Sequence, residues 1–391
     1  MTIEKSVWPA FTEEEVDAVA EVVRSNRVNY WTGEAGRRFE REFANWAGST
    51  YAVALTNGTL ALDVALKALG IGAGDEVVVT PRTFIASISS VVNAGASPVF
   101  ADVDRNSGNI NAATIAERIT ERTRAVIPVH LAGWPCDMDA ITELAAEHGL
   151  AVIEDCAQAH GARVGNRSVG SIGDIGAWSF CQDKIMTTGG EGGMVTTDNR
   201  DLWSAMWSFK DHGKSFDAVY ERRHEPGYRW VHESFGTNWR MLEVQAVIGS
   251  IQLGRMDAWN RRRTAIAKRL AEALTPFASA VRVPMPGEGF THAFYRLYGY
   301  VRPAGLADGW SRDRIVAELN RLGVPAFHGT CSEVYLEKAF DGTPFRPIER
   351  LPVARELGET SLMFLTHPTM TDAEIDHAQS TIRKVMTAAS R

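Results

Sequence analysis

Between about residues 50 and 200, short runs of apolar and β-branched residues alternate with stretches whose apolar positions return every three or four residues. Tyr51–Leu55, Glu76–Thr80, Pro98–Asp102, Ala125–His130 and Ala151–Asp155 read as strands. Thr59–Leu66 and Met138–His148 read as helices with one apolar side. The strand runs are continuously apolar and do not alternate. That is the pattern of a mostly parallel sheet covered by helices on both faces, an α/β fold. From Met241 to Leu274 the helical period dominates. Beyond it, Phe294–Val301, Arg312–Leu322 and Asp372–Ala388 mix strands and helices, as a smaller α+β domain does. The expected organisation is a large domain over residues 1–254 and a small C-terminal domain over residues 255–391. Neither internal repeats nor low-complexity tracts interrupt it.

Composition narrows the functional classes. The chain has 391 residues, 45% hydrophobic and 23% charged, which is ordinary for a globular protein and long enough for two domains. A formal net charge of −7 offers no general attraction to nucleic acid or to an anionic membrane. Arg222-Arg223 and Arg261-Arg262-Arg263 are short basic runs set among acidic and apolar residues, as on solvated faces. The stretch MTIEKSVWPAFTEEEV lacks the basic-then-apolar order of a secretory signal, and no apolar run approaches a membrane span. Cys136, Cys156, Cys181 and Cys331 are scattered without CxxC spacing, which points to reduced thiols in a cytoplasm and away from a zinc site. A buried spectator role is expected for Cys181. His130, His148 and His160 lie on separate elements and read as structural histidines, so no metal centre is expected.

In such sheets, ligands bind where strands end and helices begin. Asn57-Gly58-Thr59 follows the first strand and opens a helix. It is either an ordinary cap or, through free backbone N–H groups and a hydroxyl, a phosphate seat. Asp155 ends a strand and is either a capping carboxylate or the partner of a protonated ring nitrogen, with Gln158 one turn further on. Phe84 follows the second strand and offers either core packing or a face for a flat ring. Ser179 ends the apolar run Ile175–Trp178, and Lys184 follows it, directly before Thr187-Thr188-Gly189-Gly190-Glu191-Gly192-Gly193. A lysine amine held near a carbonyl forms a Schiff base, and the glycines let backbone come close to a ligand. A phosphate seat, a ring-nitrogen partner, a stacking aromatic and a Schiff-base lysine together are what pyridoxal 5'-phosphate requires.

With these pieces in order, the chain resembles the DegT/DnrJ/StrS-type family of pyridoxal-phosphate-dependent sugar aminotransferases, a branch of fold type I. The resemblance runs through Asn57–Leu62, Thr83–Ser87, Glu154–Ala162, Ser179–Met194 and Asn238–Ala246, covering nearly the whole chain. It implies that Lys184 is the Schiff-base lysine and proton shuttle. Asp155 would pair with the ring nitrogen and Gln158 with the ring hydroxyl. Gly58, Thr59 and Ser179 would bind the phosphate, with Phe84 stacked on the ring. Asn238 would reach the phosphate of a neighbouring subunit, making a homodimer with shared sites, and His328 would contact substrate.

The implied reaction moves an amino group from an amino acid, L-glutamate in the expected case, to a keto sugar carried on a nucleotide. Two features bear on that reading. The loop after Lys184 carries two glycines, Gly189 and Gly190, where the family pattern has one. Some members replace the lysine by histidine and dehydrate their substrate, so Lys184 favours transamination. Cyclitol or amino-hydroxybenzoate precursors are alternative substrates, and a non-catalytic sugar-nucleotide sensor is a rival from another class. A dinucleotide-dependent dehydrogenase is opposed by the glycine-rich Gly70–Asp75, which precedes a strand instead of following one. Tyr30–Gly33 and the stretch 209–232 are further candidates for substrate lining.

Overall fold

The computed structural model describes residues 6–391; the first five residues of the N-terminal stretch lie outside the described part. Its main sheet has seven strands: β1 (Tyr51–Leu55), β2 (Glu76–Val79), β3 (Ser97–Phe100), β4 (Thr123–Ile127), β5 (Ala151–Asp155), β6 (Ile175–Ser179) and β7 (Gly193–Thr197). They lie in the order β1-β7-β6-β5-β4-β2-β3. All neighbours run parallel except β7, which is antiparallel to both β1 and β6. The C-terminal ends of β1, β2, β5 and β6 therefore share one edge, and the loop from β6 to β7 crosses it. The fourth strand ends at Ile127, three residues before the sequence pattern stops, because Pro128 has no N–H to continue the ladder.

The strands face cores on both sides. Val53 and Leu55 of β1 pack into one cluster, Ala52 and Ala54 into another. β6 and β7 divide in the same way, with Ala177 and Val195 on the first side and Trp178 and Met194 on the second. The second side is rich in rings: Phe43 meets Trp178 at 5.2 Å and Phe180 at 5.4 Å. This two-sided burial is the physical cause of the unbroken apolar runs.

The expected long helical region is two helices, Glu243–Leu253 and Met256–Leu274, broken at Gly254–Arg255. From Ile266 onward the second helix belongs to a separate core, shared with the helices Arg312–Arg321 and Asp372–Ala389. That core covers an antiparallel four-stranded sheet of Val281–Arg282, Arg296–Val301, Ser361–Leu365 and Ala326–Phe327, in that spatial order. The chain between Val334 and Leu357 returns to the first core, where Tyr335 and Phe340 pack on Phe100. Among the described residues, no helix is long and apolar enough to cross a membrane.

Candidate active site

A cleft of about 570 Å³ opens at the shared strand edge. Gly58, Thr59, Phe84, Asp155, Gln158, Ser179 and Lys184 all line it. Seven of the residues singled out from sequence thus converge, although they are spread over more than 120 positions of the chain.

The helix Gly58–Ala68 begins at the cleft. Asn57 caps it by accepting the Leu60 N–H at 3.0 Å, which leaves the N–H groups of Gly58 and Thr59, at the cleft wall, outside the cap. Of the two alternatives for this segment, the cap is Asn57, while Gly58 and Thr59 line the cleft. A Cβ on Gly58 would stand 2.5 Å from the Cβ of Ser179, so only glycine lets the helix start so near β6. An anion placed there meets backbone N–H groups, the Ser179 hydroxyl and the positive end of the helix.

Asp155 is buried at the end of β5. Its Oδ2 accepts from Ser87 Oγ at 2.8 Å, and Ser87 Oγ lies 2.9 Å from Thr83 Oγ1. Its Oδ1 accepts the Ala157 N–H at 3.1 Å. Burial pushes the Asp155 carboxyl above its ordinary range, against the hydrogen bonds from Ser87 and Ala157 and the charge of Lys184, which pull it down. A cationic N–H brought opposite this carboxylate would offset that desolvation. Gln158 Oε1 accepts the Ala132 N–H at 2.8 Å, so its NH₂ is what it offers the cleft.

Behind Asp155, His130 Nε2 and Glu154 Oε2 are 3.0 Å apart, while His130 Nδ1 accepts the Cys136 N–H. Glu154 Oε1 accepts the N–H groups of Ile172 and Gly173. With Cys156 these residues have a metal-like spacing, but their donors are consumed by hydrogen bonds that brace the strand end. Phe84, two residues after a buried arginine, is 66% exposed at the cleft mouth and free to cover a flat ring. Lys184 is mostly enclosed, and its carbonyl accepts the Trp8 Nε1–H at 2.8 Å.

The loop that follows Lys184 uses both of its glycines at positive φ, 90° for Gly189 and 122° for Gly190. Gly190 N–H donates to Thr187 Oγ1, and Gly190 forms a bridge with Cys181 that closes the loop back on β6. Cys181 departs from expectation: it is only partly buried and lines the cleft, because the turn to Lys184 lifts it out of the core.

Two other residues stand elsewhere. Asn238 is exposed on a segment tied down by bridges between Arg240 and Leu55 and between Asn238 and Asp211, and it is not among the residues lining its own chain's cleft. His328 is exposed just after the strand Ala326–Phe327 of the C-terminal sheet, 3.2 Å from Asp313, and the fold does not bring it into that cleft. Tyr30 is buried with its hydroxyl on Glu40, and Trp31 packs on Trp207 and Tyr220, so Tyr30–Gly33 is likewise no part of the cleft lining. Sequence reasoning missed Ser87, although it lay inside a quoted motif. It also missed Asp183, Tyr295 and Trp8, whose partners are remote in sequence.

The chain matches the DegT/DnrJ/EryC1/StrS aminotransferase family over residues 9–383. It is 37% identical over 363 residues to the GDP-perosamine synthase of Caulobacter vibrioides, covering 91% of this chain and 92% of that one. It is 35% identical over 359 residues to the UDP-N-acetyl-3-dehydro-alpha-D-glucosamine 3-aminotransferase of Acidithiobacillus ferrooxidans, covering 92% and 90%. The structure of an aminotransferase from Psychrobacter cryohalolentis superposes with a TM-score of 0.97 at 62% identity, covering 98% of each chain. Matched along its length in sequence and fold, with the lysine cleft in place, this chain belongs to the DegT/DnrJ/EryC1/StrS aminotransferase family, of fold type I.

Proposed function

We propose that this aminotransferase holds pyridoxal 5'-phosphate at Lys184 and transfers an amino group from an amino acid, L-glutamate, to a keto sugar linked to a nucleoside diphosphate. The observation that carries the reading is the cleft itself, with Lys184, the buried Asp155 and the Gly58–Ser179 anion seat facing one space. The residues fit the cofactor: the cradle at Gly58 is one a Cβ would fill, and Asp155 is a buried carboxylate short of a cation. The acceptor class rests on the relatives, whose names include GDP- and UDP-linked sugars.

When bound, the cofactor supplies an electron sink for the carbanion formed at the amino acid's Cα. Lys184 Nζ would take the proton from that carbon and pass it to the cofactor, and would carry a proton the other way in the return stroke. Asp155 holds a proton at the ring nitrogen by keeping its negative charge beside it. Thr83 and Ser87 fix which way that carboxylate faces. Gly58, Thr59 and Ser179 bind the phosphate, Gln158 donates to the ring hydroxyl, and Phe84 covers the ring and excludes water.

A homodimer is part of the proposal. The segment leading to Asn238 carries large exposed apolar side chains, Trp230 81% and Phe235 101% exposed. Such exposure favours a second copy, which would bring Asn238 to that copy's phosphate seat. The four free cysteines support a reducing, cytoplasmic setting.

The test is the absorption spectrum of the purified protein before and after L-glutamate. A band near the visible edge that shifts on glutamate addition is expected. A protein still colourless after incubation with pyridoxal phosphate overturns the reading and favours the sensor alternative.

A further inference from the structure

Asp183 has no assigned part in the chemistry, yet it is the residue in front of Lys184 and lines the same cleft. Its Oδ1 lies 3.8 Å from Lys184 Nζ. Its Oδ2 accepts the Tyr295 hydroxyl and stands 3.6 Å from Arg296 Nη2. The Arg296 guanidinium lies 3.9 Å over the Tyr295 ring, and its Nη1 donates to the Tyr295 carbonyl at 2.8 Å. Tyr295 and Arg296 reach this point from the C-terminal half of the chain, across 112 residues in the case of Tyr295.

The backbone that delivers Tyr295 is held in an unfavourable shape. Phe294 has φ 47°, a left-handed conformation that is costly for a bulky residue. Its neighbours over-determine it. Phe294 N–H donates to His292 Nδ1 at 2.8 Å, the two rings stack at 4.0 Å, and the Thr366 hydroxyl donates to the Phe294 carbonyl at 2.6 Å. The bend turns the Tyr295 hydroxyl toward Asp183.

We propose that Asp183 is the counter-charge of the Lys184 nitrogen in its protonated form, on the cofactor and as the free ammonium when the lysine is displaced, and that Tyr295 and Arg296 hold Asp183 in place for it. The inference rests on the function proposed above. In a two-stroke transfer the incoming amine displaces Lys184, whose nitrogen leaves the cofactor carbon and takes up a proton. A free lysine has a long, freely rotating stem and has to be kept within reach of the carbon it serves. A carboxylate one residue away, itself anchored to the other half of the chain, keeps it there. Burial acts to raise the Asp183 carboxyl, but Lys184, the Tyr295 hydroxyl and Arg296 outweigh it and hold it below its ordinary range. The other charged or titratable groups around the pair are Asp155, which feels Lys184 from the strand end, His160, which feels both Lys184 and Arg263, and Arg263, which feels Arg296. Asp183 is a positioning residue in this account.

The test compares wild type, Asp183→Asn, Asp183→Glu and Tyr295→Phe, each loaded with pyridoxal phosphate. The readout is the pH at which the visible band is half converted between its two forms. A carboxylate beside Nζ favours the protonated, positively charged nitrogen, so removing it lowers that midpoint. The expected shift in Asp183→Asn is about half a pH unit downward, modest because Asp183 is partly exposed. Tyr295→Phe should move it the same way by less, and Asp183→Glu should recover most of it. A wild-type band whose midpoint stays unmoved in both Asp183→Asn and Tyr295→Phe overturns the inference alone. A wild type with no visible band overturns the cofactor reading and this inference with it.

Discussion

His160 shows how far burial decides what a residue can do. It is fully enclosed beside the rings of Trp178 and Phe180, at 5.2 and 5.7 Å, and neither ring nitrogen has a partner among the described residues. Burial pushes its pKa down to about 3, with Lys184 and Arg263 acting in the same direction. Unfolded, the imidazole titrates near 6.5; folded, it stays neutral until far lower pH. Unfolding therefore takes up a proton between those values, so stability is full above about pH 6.5 and is lost as the pH falls. We expect a loss of about 2 kcal/mol at pH 5 from this residue, and a flatter dependence of Tm on pH in His160→Phe. A Tm profile between pH 5 and 7 that is unchanged by the substitution would contradict the assignment. Asp155 is the opposite case, a carboxylate braced for a cation. Asp155→Asn should keep the visible band, since the phosphate seat is intact, and lower turnover by about 10²–10⁴-fold. Loss of the band itself in that variant would place Asp155 in cofactor retention.

At the scale of elements, the start of the helix Gly58–Ala68 combines two demands that pull on different residues. Asn57 stabilises the helix by taking the Leu60 N–H, and Gly58 keeps the space between that helix and Ser179 open. Gly58→Ala should leave the helix formed, because alanine is the better helix residue. It should nevertheless weaken pyridoxal phosphate binding by at least about tenfold, since each 1.4 kcal/mol lost is a factor of ten and a Cβ intrudes on Ser179. A spectroscopic titration of the apoprotein measures this directly, and unchanged affinity would remove the seat from that corner. The β6–β7 loop is similarly specific. Its two glycines adopt positive φ that other residues resist, and they return the chain to the antiparallel β7 with Lys184 left at the edge.

For the whole molecule, the exposed apolar side chains in the segment before Asn238 and the absence of Asn238 from its own cleft lead to one prediction about sharing. Lys184→Ala is expected to be inactive, and Asn238→Ala to bind the cofactor weakly. In a two-fold dimer with shared sites, mixing the two variants assembles mixed dimers in which one site has both defects and the other has none. Activity should return on mixing and exchange, to about a quarter of the wild-type level for random pairing in a two-fold dimer. If each chain completes its own site, mixing recovers nothing. The Asp183–Tyr295 contact makes a related point within one chain, since it ties the residue before Lys184 to the C-terminal half.

What the sequence by itself determined is local in cause. The helix Met138–His148 and the strands Tyr51–Leu55 and Ala151–Asp155 appear as their patterns predict, because two-sided burial leaves unbroken apolar runs and one-sided burial leaves a helical period. The Lys184 loop, the Asn57 cap and the strand-end position of Asp155 are legible for the same reason: each needs particular residue types within a few positions. The tertiary structure alone decided the rest. A five-residue strand such as Gly193–Thr197 carries no mark of direction in its sequence, so only pairing reveals that β7 runs against its neighbours. Ser87 reaches Asp155 across 68 residues, Trp8 reaches Lys184 across 176, and Tyr295 reaches Asp183 across 112. His328 has the residue type a substrate contact wants and lies outside the cleft all the same. Contacts of that span depend on how whole layers pack, and packing is a sum over the entire chain that no local pattern contains.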